Sequence, residues 1–299
     1  MSAAAEDIAA PDDQGRGGPL VRELRFVLRH SRSVQIGLTI VIVLLLIGAF
    51  APVLTGYSPY NVDLSNTLQP PSRAHLLGTD ELGRDELTRL FYAARVSMVV
   101  GLAAVAISNV LGVLFGLLAG YAGGVTDNLI MRAMDGILAF PALLLALLVI
   151  SVLGPGLFKI LIAFGIAFAP SNARLLRSMV VSVRENEYVA AARALGASRI
   201  RVMVRYVLPN SISPLIVSAS LGMGFVIIGL AGLGYLGLGA QPPTAEWGAM
   251  LSGSQARFFT APWLLLAPGG MILAAVVGYV LLGDGLRDAL DPRLRQSQG

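Results

Sequence analysis

The sequence contains no cysteine, one lysine and two histidines, and only 13% of its 299 residues are charged. Each scarcity excludes a class of protein. Without cysteine there is no disulfide framework, no thiolate nucleophile and no thiolate metal site. The histidines, His30 and His75, stand far apart and outside any H-E-x-x-H spacing, which argues against that kind of zinc chemistry. A P-loop needs a lysine beside glycine to reach nucleotide phosphates, and the only lysine, Lys159, follows Phe158. No G-x-S-x-G nucleophile elbow is present. The net charge of +4 comes without a basic patch interleaved with aromatics, so nucleic acid is not an expected partner.

What is present is apolar surface. Hydrophobic residues make up 55% of the chain and mean hydropathy is +0.73, whereas an average soluble domain is about 25% charged. An all-α polytopic membrane protein is expected, with the lipid bilayer as its solvent. Six apolar runs carry that reading: 34–54, 96–120, 129–153, 157–176, 211–235 and 261–283, each close to the roughly 20 residues that cross the hydrocarbon. Residues 1–33 read as a polar tail and a surface helix, with Leu20, Leu24, Val27 and Leu28 at helical spacing between Arg22, Arg25, Arg29 and Arg32. Ala49-Phe50-Ala51 imitates a signal cleavage site, but 33 residues precede the run and Pro52 follows, so a retained first span is expected. Residues 55–93 read as an external segment, 94–295 as a five-helix core and 296–299 as a tail. Pro141 inside span three fits a kink at a pore or plain packing equally well. Gly112, Gly116 and Gly120 form a ridge on which another helix can pack closely.

Arginine placement sets the expected sidedness, because cytoplasmic loops collect positive charge. Both termini share one side with Arg174, Arg177, Arg184, Arg193, Arg199, Arg201 and Arg205, whereas the other side offers Lys159, Arg257 and acid-balanced Arg73, Arg84, Arg89 and Arg95. A plasma-membrane protein with both termini cytoplasmic is the expectation.

Between spans four and five lies a soluble-looking island, residues 185–210. Its first half is Ala-rich, with Tyr188, Ala191, Ala192 and Leu195 at i, i+3, i+4 and i+7, so a helix with a smooth face is expected. Gly196 should end that helix in a left-handed turn, Ser198 should cap a second short helix, and Pro209 should close the segment.

This island, YVAAARALGAS followed by Leu208-Pro209-Asn210, resembles the cytoplasmic coupling loop of membrane-spanning subunits of ABC importers, in the form found in the oligopeptide and dipeptide permeases. Three further stretches match that family: the GTD-x-x-GRD-x-x-x-R string from Gly78 to Arg89, GYLGLGAQPPTAEWGAML, and the terminal LLGDGLRDALDPRLR. The resemblance implies a type I importer fold and half of a translocation pathway for peptides. It implies that partner ATPases use the ATP and magnesium while this chain binds no cofactor and catalyses nothing. The implied partners are a second permease, one or two ATPase subunits, and an extracytoplasmic solute-binding protein meeting residues 55–93 and 236–260. The ATPase-coupling residues it marks are Glu187, Tyr188, Ala191, Ala192, Arg193, Leu195, Gly196, Ala197, Leu208 and Pro209. Its external motif is Gly78, Thr79, Asp80, Gly83, Arg84 and Asp85. Two departures stand out: Ala190 where the pattern has Glu, with Glu187 one turn away, and Leu230 where relatives carry Glu within span five. Nickel, opine and glycoside importers use permeases of the same family. The rival of another class is an ion-coupled secondary transporter, which would place ionisable groups in mid-membrane and show related halves; spans one, two, five and six carry no charged residue, and Arg132 and Asp135 lie near the end of span three.

Overall fold

The computed structural model describes residues 31–290; the surface helix expected before Arg32 and the terminal arginines Arg293 and Arg295 lie outside them. Among the described residues regular structure is helical, the sole β contact being an isolated bridge between Thr79 and Asp85. Helix α1 (Arg32–Leu54) starts where Ser31 accepts a hydrogen bond from the Val34 amide. Helix α2 (Glu86–Ala122) is 37 residues long, about 55 Å at 1.5 Å per residue. The segment expected to be external, 55–93, is therefore helical from Glu86. Asp85 explains the earlier start: its carboxylate accepts from the Thr88 amide and so caps the helix.

Span three is not one continuous helix. Helices α3 (Gly124–Leu138) and α4 (Ala142–Leu153) meet at 85°. Pro141, at φ −55 and ψ 133, occupies the cap of α4, and proline disfavours the helical region for the residue before it. By contrast Pro170 sits inside α5 (Leu157–Arg184) without ending it. The island forms α6 (Glu187–Ala194), α7 (Arg199–Val202), a π turn at Met203–Val207 and α8 (Leu208–Ser211). Helices α9 (Ser213–Tyr235), α10 (Trp247–Ser254) and α11 (Trp263–Leu290) complete the described chain. Helices α1, α2, α5, α9 and α11 are long and apolar enough to cross a membrane, and the bent α3–α4 pair makes a sixth crossing if taken as one span.

Lipid tails give no hydrophobic drive to bring helices together, so close packing of small residues does that work. A Cβ added to Gly112 would lie 2.5 Å from Asn172 Cβ, and one on Gly116 the same distance from the Ala173 carbonyl oxygen; at Gly120 the gap to Val180 Cβ is 2.8 Å. The glycine ridge of α2 is thus the seam on which α5 lies. Within it Asn172 Nδ2 donates to Ser108 Oγ at 2.8 Å, while its Oδ1 accepts from Ser218 Oγ at 2.9 Å, joining α2, α5 and α9. Toward the Tyr121 end, Asp127 pairs with Arg177 and Asp135 with Arg174, fastening α3 to α5. Arg184 Nη1 donates to the Gly120 carbonyl at 2.7 Å, satisfying one of the open carbonyls that end α2.

Candidate functional site

The island between α5 and α9 is anchored on one side and bare on the other. Val189, Val202 and Val207 are fully buried against Leu117, Leu176, Val180, Val183 and Leu215. Each such burial stabilises by roughly 1.5–3 kcal/mol, so the island moves with the ends of α2, α5 and α9. The outward face of α6 carries Glu187, Tyr188, Ala190 and Ala191, continued by Leu195 at its C-cap. Ala192, expected on that face, points inward instead: it lies one turn from Val189 and shares the buried side. Leu195 is 89% exposed and Ile200 74%, an apolar surface of the kind that marks a contact with another protein.

Gly196 adopts φ +82, and the turn around it closes in both directions: its amide donates to the Arg193 carbonyl and the Ala197 amide to that of Ala192. These two bonds form a Schellman C-cap, which requires the left-handed residue expected here. Ser198 then caps α7, accepting from the Arg201 amide at 3.4 Å. Pro209 does not close the segment. It stands in the first turn of α8, where its missing N–H is no loss, and the preceding π turn leaves room for its ring as Leu208 N–H bonds back to Met203 O. Arg193 lies 5.4 Å above the Tyr121 ring, a cation–π contact from α6 to the last turn of α2.

At the opposite end of α2 the residues from Gly78 to Asp85 fold into a knot. Asp80 accepts from the Leu82 and Arg84 amides through Oδ1, both at 2.9 Å, and from Arg84 Nε through Oδ2 at 2.7 Å, with Arg89 Nε 3.3 Å from the same oxygen. Asp85 caps α2 and meets His75 Nδ1 at 2.9 Å. Thr79 ties the knot to the preceding loop, donating to Asn66 O and accepting from the Gln69 amide. Gly78 and Gly83 hold φ +74 and +71, and Gly83 packs directly on the Asp63 carbonyl, where no side chain fits. The motif residues are thus gathered in one place, about 55 Å of helix from the island.

Two carboxylates of consequence escaped the sequence reading. Glu246 is fully buried, caps α10 through the Gly248 and Ala249 amides, and fills the space beside Gly234 of α9. Burial pushes its carboxyl up to about 7, against the backbone N–H groups that favour the charge. Its position directly before Trp247, at a helix start, was the available signal. Glu86, next to the cap Asp85, is 2% exposed. At Leu230, 1% exposed, packing with Phe164 and Ile160 takes the place of a carboxylate.

Residues 112–296 match the family described as binding-protein-dependent transport system inner membrane component, and residues 20–71 match the N-terminal TM domain of oligopeptide transport permease C. The dipeptide transport system permease protein DppC of Alkalihalophilus pseudofirmus is 46% identical over 285 residues, covering 95% of this chain and 94% of its own. The oligopeptide transport system permease protein OppC of Bacillus subtilis is 39% identical, with 91% and 89% covered. In fold the chain is similar to the MetNI methionine ABC transporter in an inward-facing conformation, with a TM-score of 0.52 at 15% identity over 68% of this chain and 97% of that one. A glycine-seamed helical bundle, a buttressed island between α5 and α9, the family match over residues 112–296 and 46% identity over 95% of the chain converge on one conclusion: the chain belongs to the binding-protein-dependent transport system inner membrane component family, the permease subunits of ABC importers.

Proposed function

We propose that this chain forms half of a translocation pathway for dipeptides or oligopeptides in the cytoplasmic membrane, paired with a second permease and driven by separate ATPase subunits. The observation that carries the reading is the two-faced island: three buried valines fix it to the spans, and an exposed face with Tyr188, Ala191 and Leu195 faces outward. ATP drives transport only if nucleotide-bound and nucleotide-free ATPases hold that face differently, since an equilibrium shifts by no more than the differential interaction energy. Peptide as the solute rests on the relatives, whose names are those of dipeptide and oligopeptide permeases. The solute-binding protein meets the end of α2 that carries the knot.

Two measurements test this. The purified chain should hydrolyse no ATP above background, and hydrolysis coupled to dipeptide uptake should appear in proteoliposomes once the ATPases, sister permease and binding protein are added. Turnover by the chain alone would overturn the assignment of energy coupling to partners. Sidedness is tested with single cysteines, in a chain that has none of its own. Ser252 and Ser198 are both exposed, at opposite ends of the bundle. On intact cells a membrane-impermeant thiol reagent should label Ser252→Cys and spare Ser198→Cys; the reverse pattern, or equal labelling, would sink the cytoplasmic placement of the island.

A further inference from the structure

Between α2, α5 and α9, with the end of α11 at its edge, lies a cavity of about 800 Å³, within the range of roughly 300–1,000 Å³ that holds small organic ligands. Phe168, Leu175, Met179, Leu221 and Phe225 supply its apolar walls. Hydrocarbon packing asks for nothing else, yet polar groups with bonding capacity to spare also line it. Asn109, half-buried, spends one amide N–H on the Val105 carbonyl at 2.8 Å, which leaves its second N–H and its Oδ1 open. Ser171 is exposed on the wall, its hydroxyl unpaired among the described residues. No carboxylate lines the cavity, and its one charge is Arg287, exposed and without an ion pair among the described residues. Asp284 and Asp288 flank Arg287 on α11, but neither pairs with it and neither lines the cavity. These groups share one level of the bundle. Ser218 of α9 bonds to Asn172 of α5, which bonds to Ser108 of α2, the neighbour of Asn109. On α11, Leu286 clusters with Ile216 and Val217 of α9, so Arg287 stands beside the turn that carries Ser218.

We propose that this cavity holds a short peptide in transit, its free carboxylate on Arg287 and its backbone amides on Asn109 and Ser171. The proposal rests on the reading of the chain as half of a peptide pathway, and it names the groups that meet the solute. A guanidinium takes a carboxylate through two parallel N–H···O bonds. The Asn109 amide offers both a donor and an acceptor, the complement of a peptide group. These are features that every linear peptide has, whatever its sequence, while the apolar walls accept side chains without demanding a particular one. One passage then serves many sequences, provided each ends in a free carboxylate. Because Arg287 is exposed, its pairing is worth little more than a surface ion pair, which lets the solute leave. A phospholipid headgroup also offers an anion, but it has no use for the amide and hydroxyl on the cavity wall.

The test uses the assembled transporter with cysteine-free partners, in phosphatidylcholine nanodiscs, and a reporter cysteine at Gly222. Gly222 lines the cavity, a Cβ there meets nothing within 4 Å, and the chain has no cysteine of its own. The dipeptide Ala-Ala should slow labelling of Gly222→Cys by a small thiol reagent, saturably. The same dipeptide with its C-terminus amidated should need at least about tenfold more, the scale of one charge-assisted hydrogen bond. Arg287→Gln should erase the difference between the two peptides, and Arg287→Lys should restore part of it. A merely structural role for Arg287 would shift both peptides alike, so discrimination that survives Arg287→Gln overturns the proposal. Equal protection by the two peptides in the parent, with labelling that phosphatidylglycerol slows only when Arg287 is present, assigns the cation to lipid headgroups and also overturns it. Uptake of Ala-Ala by the same assembly in proteoliposomes separates the site from the broader reading. Uptake without protection of Gly222→Cys removes the solute from this cavity and leaves the peptide permease standing, whereas no uptake sinks that reading and the proposal with it.

Discussion

Gly196→Asp is expected to abolish solute uptake while the protein still accumulates, correctly inserted, in the membrane. Gly196 sits at φ +82, where a side chain costs roughly 1–2 kcal/mol. Because a Cβ there would meet nothing within 4 Å, the effect cannot come from a clash: it comes from the backbone, and from a charge placed next to Leu195 on the exposed face. Relaxing φ breaks the two bonds of the Schellman cap and re-aims the link between α6 and α7. The spans are held by the glycine seam and the buried valines, none of which Gly196 touches. Three readings taken together decide the matter: membrane abundance, co-purification of the ATPases, and uptake. Gly196→Asn is the informative companion, since Asn tolerates left-handed backbone; it should retain much of the uptake that Asp loses. Normal uptake with Asp at normal abundance would show the island to be an ordinary connection rather than a coupling element.

The island was also the part of the fold most legible in the sequence, for a physical reason. Helix stop, left-handed glycine and serine cap are local signals, each satisfied by backbone groups within a few residues, and all three stand where expected. Facing was harder to read. Ala191 and Ala192 are chemically identical, and which one turns inward depends on Val189 finding Val180 and Leu215, residues far away in sequence. Pro209 misled because proline is a stop signal only in a helix interior, and a π turn upstream converts its site into a first turn. Hydropathy located the crossings but not the 85° break of α3 from α4, since an apolar run has the same composition straight or bent. The knot's motif was visible as a string, while its purpose was not. Only in three dimensions does it emerge that Asp80 gathers two arginines and that Glu86, beside the cap, is almost fully buried.

Gly116→Leu is expected to remove most of the folded protein from the membrane, and a matched substitution elsewhere separates this from any general intolerance of bulk. Leucine raises hydropathy, so insertion of the span itself should be unharmed or improved. What fails is the step after insertion. A Cβ on Gly116 would lie 2.5 Å from the Ala173 carbonyl oxygen and 3.0 Å from Leu176 Cβ; the nearer atom is backbone in the middle of α5 and has no rotamer to yield. Overpacking typically costs about 1–3 kcal/mol when side chains can shift, and here α2 and α5 would have to separate along the whole seam, breaking the Asn172–Ser108 hydrogen bond with it. Gly222→Leu makes the same chemical change in α9, where a Cβ meets nothing within 4 Å and the residue borders a cavity of about 800 Å³. The measurement is thermal unfolding and membrane yield of both variants beside the parent. Gly116→Leu should fall well below the parent in both and Gly222→Leu should stay near it. Equal tolerance of the two would mean that α2 and α5 are held apart from each other in the membrane, and the seam would no longer account for how the bundle positions the island.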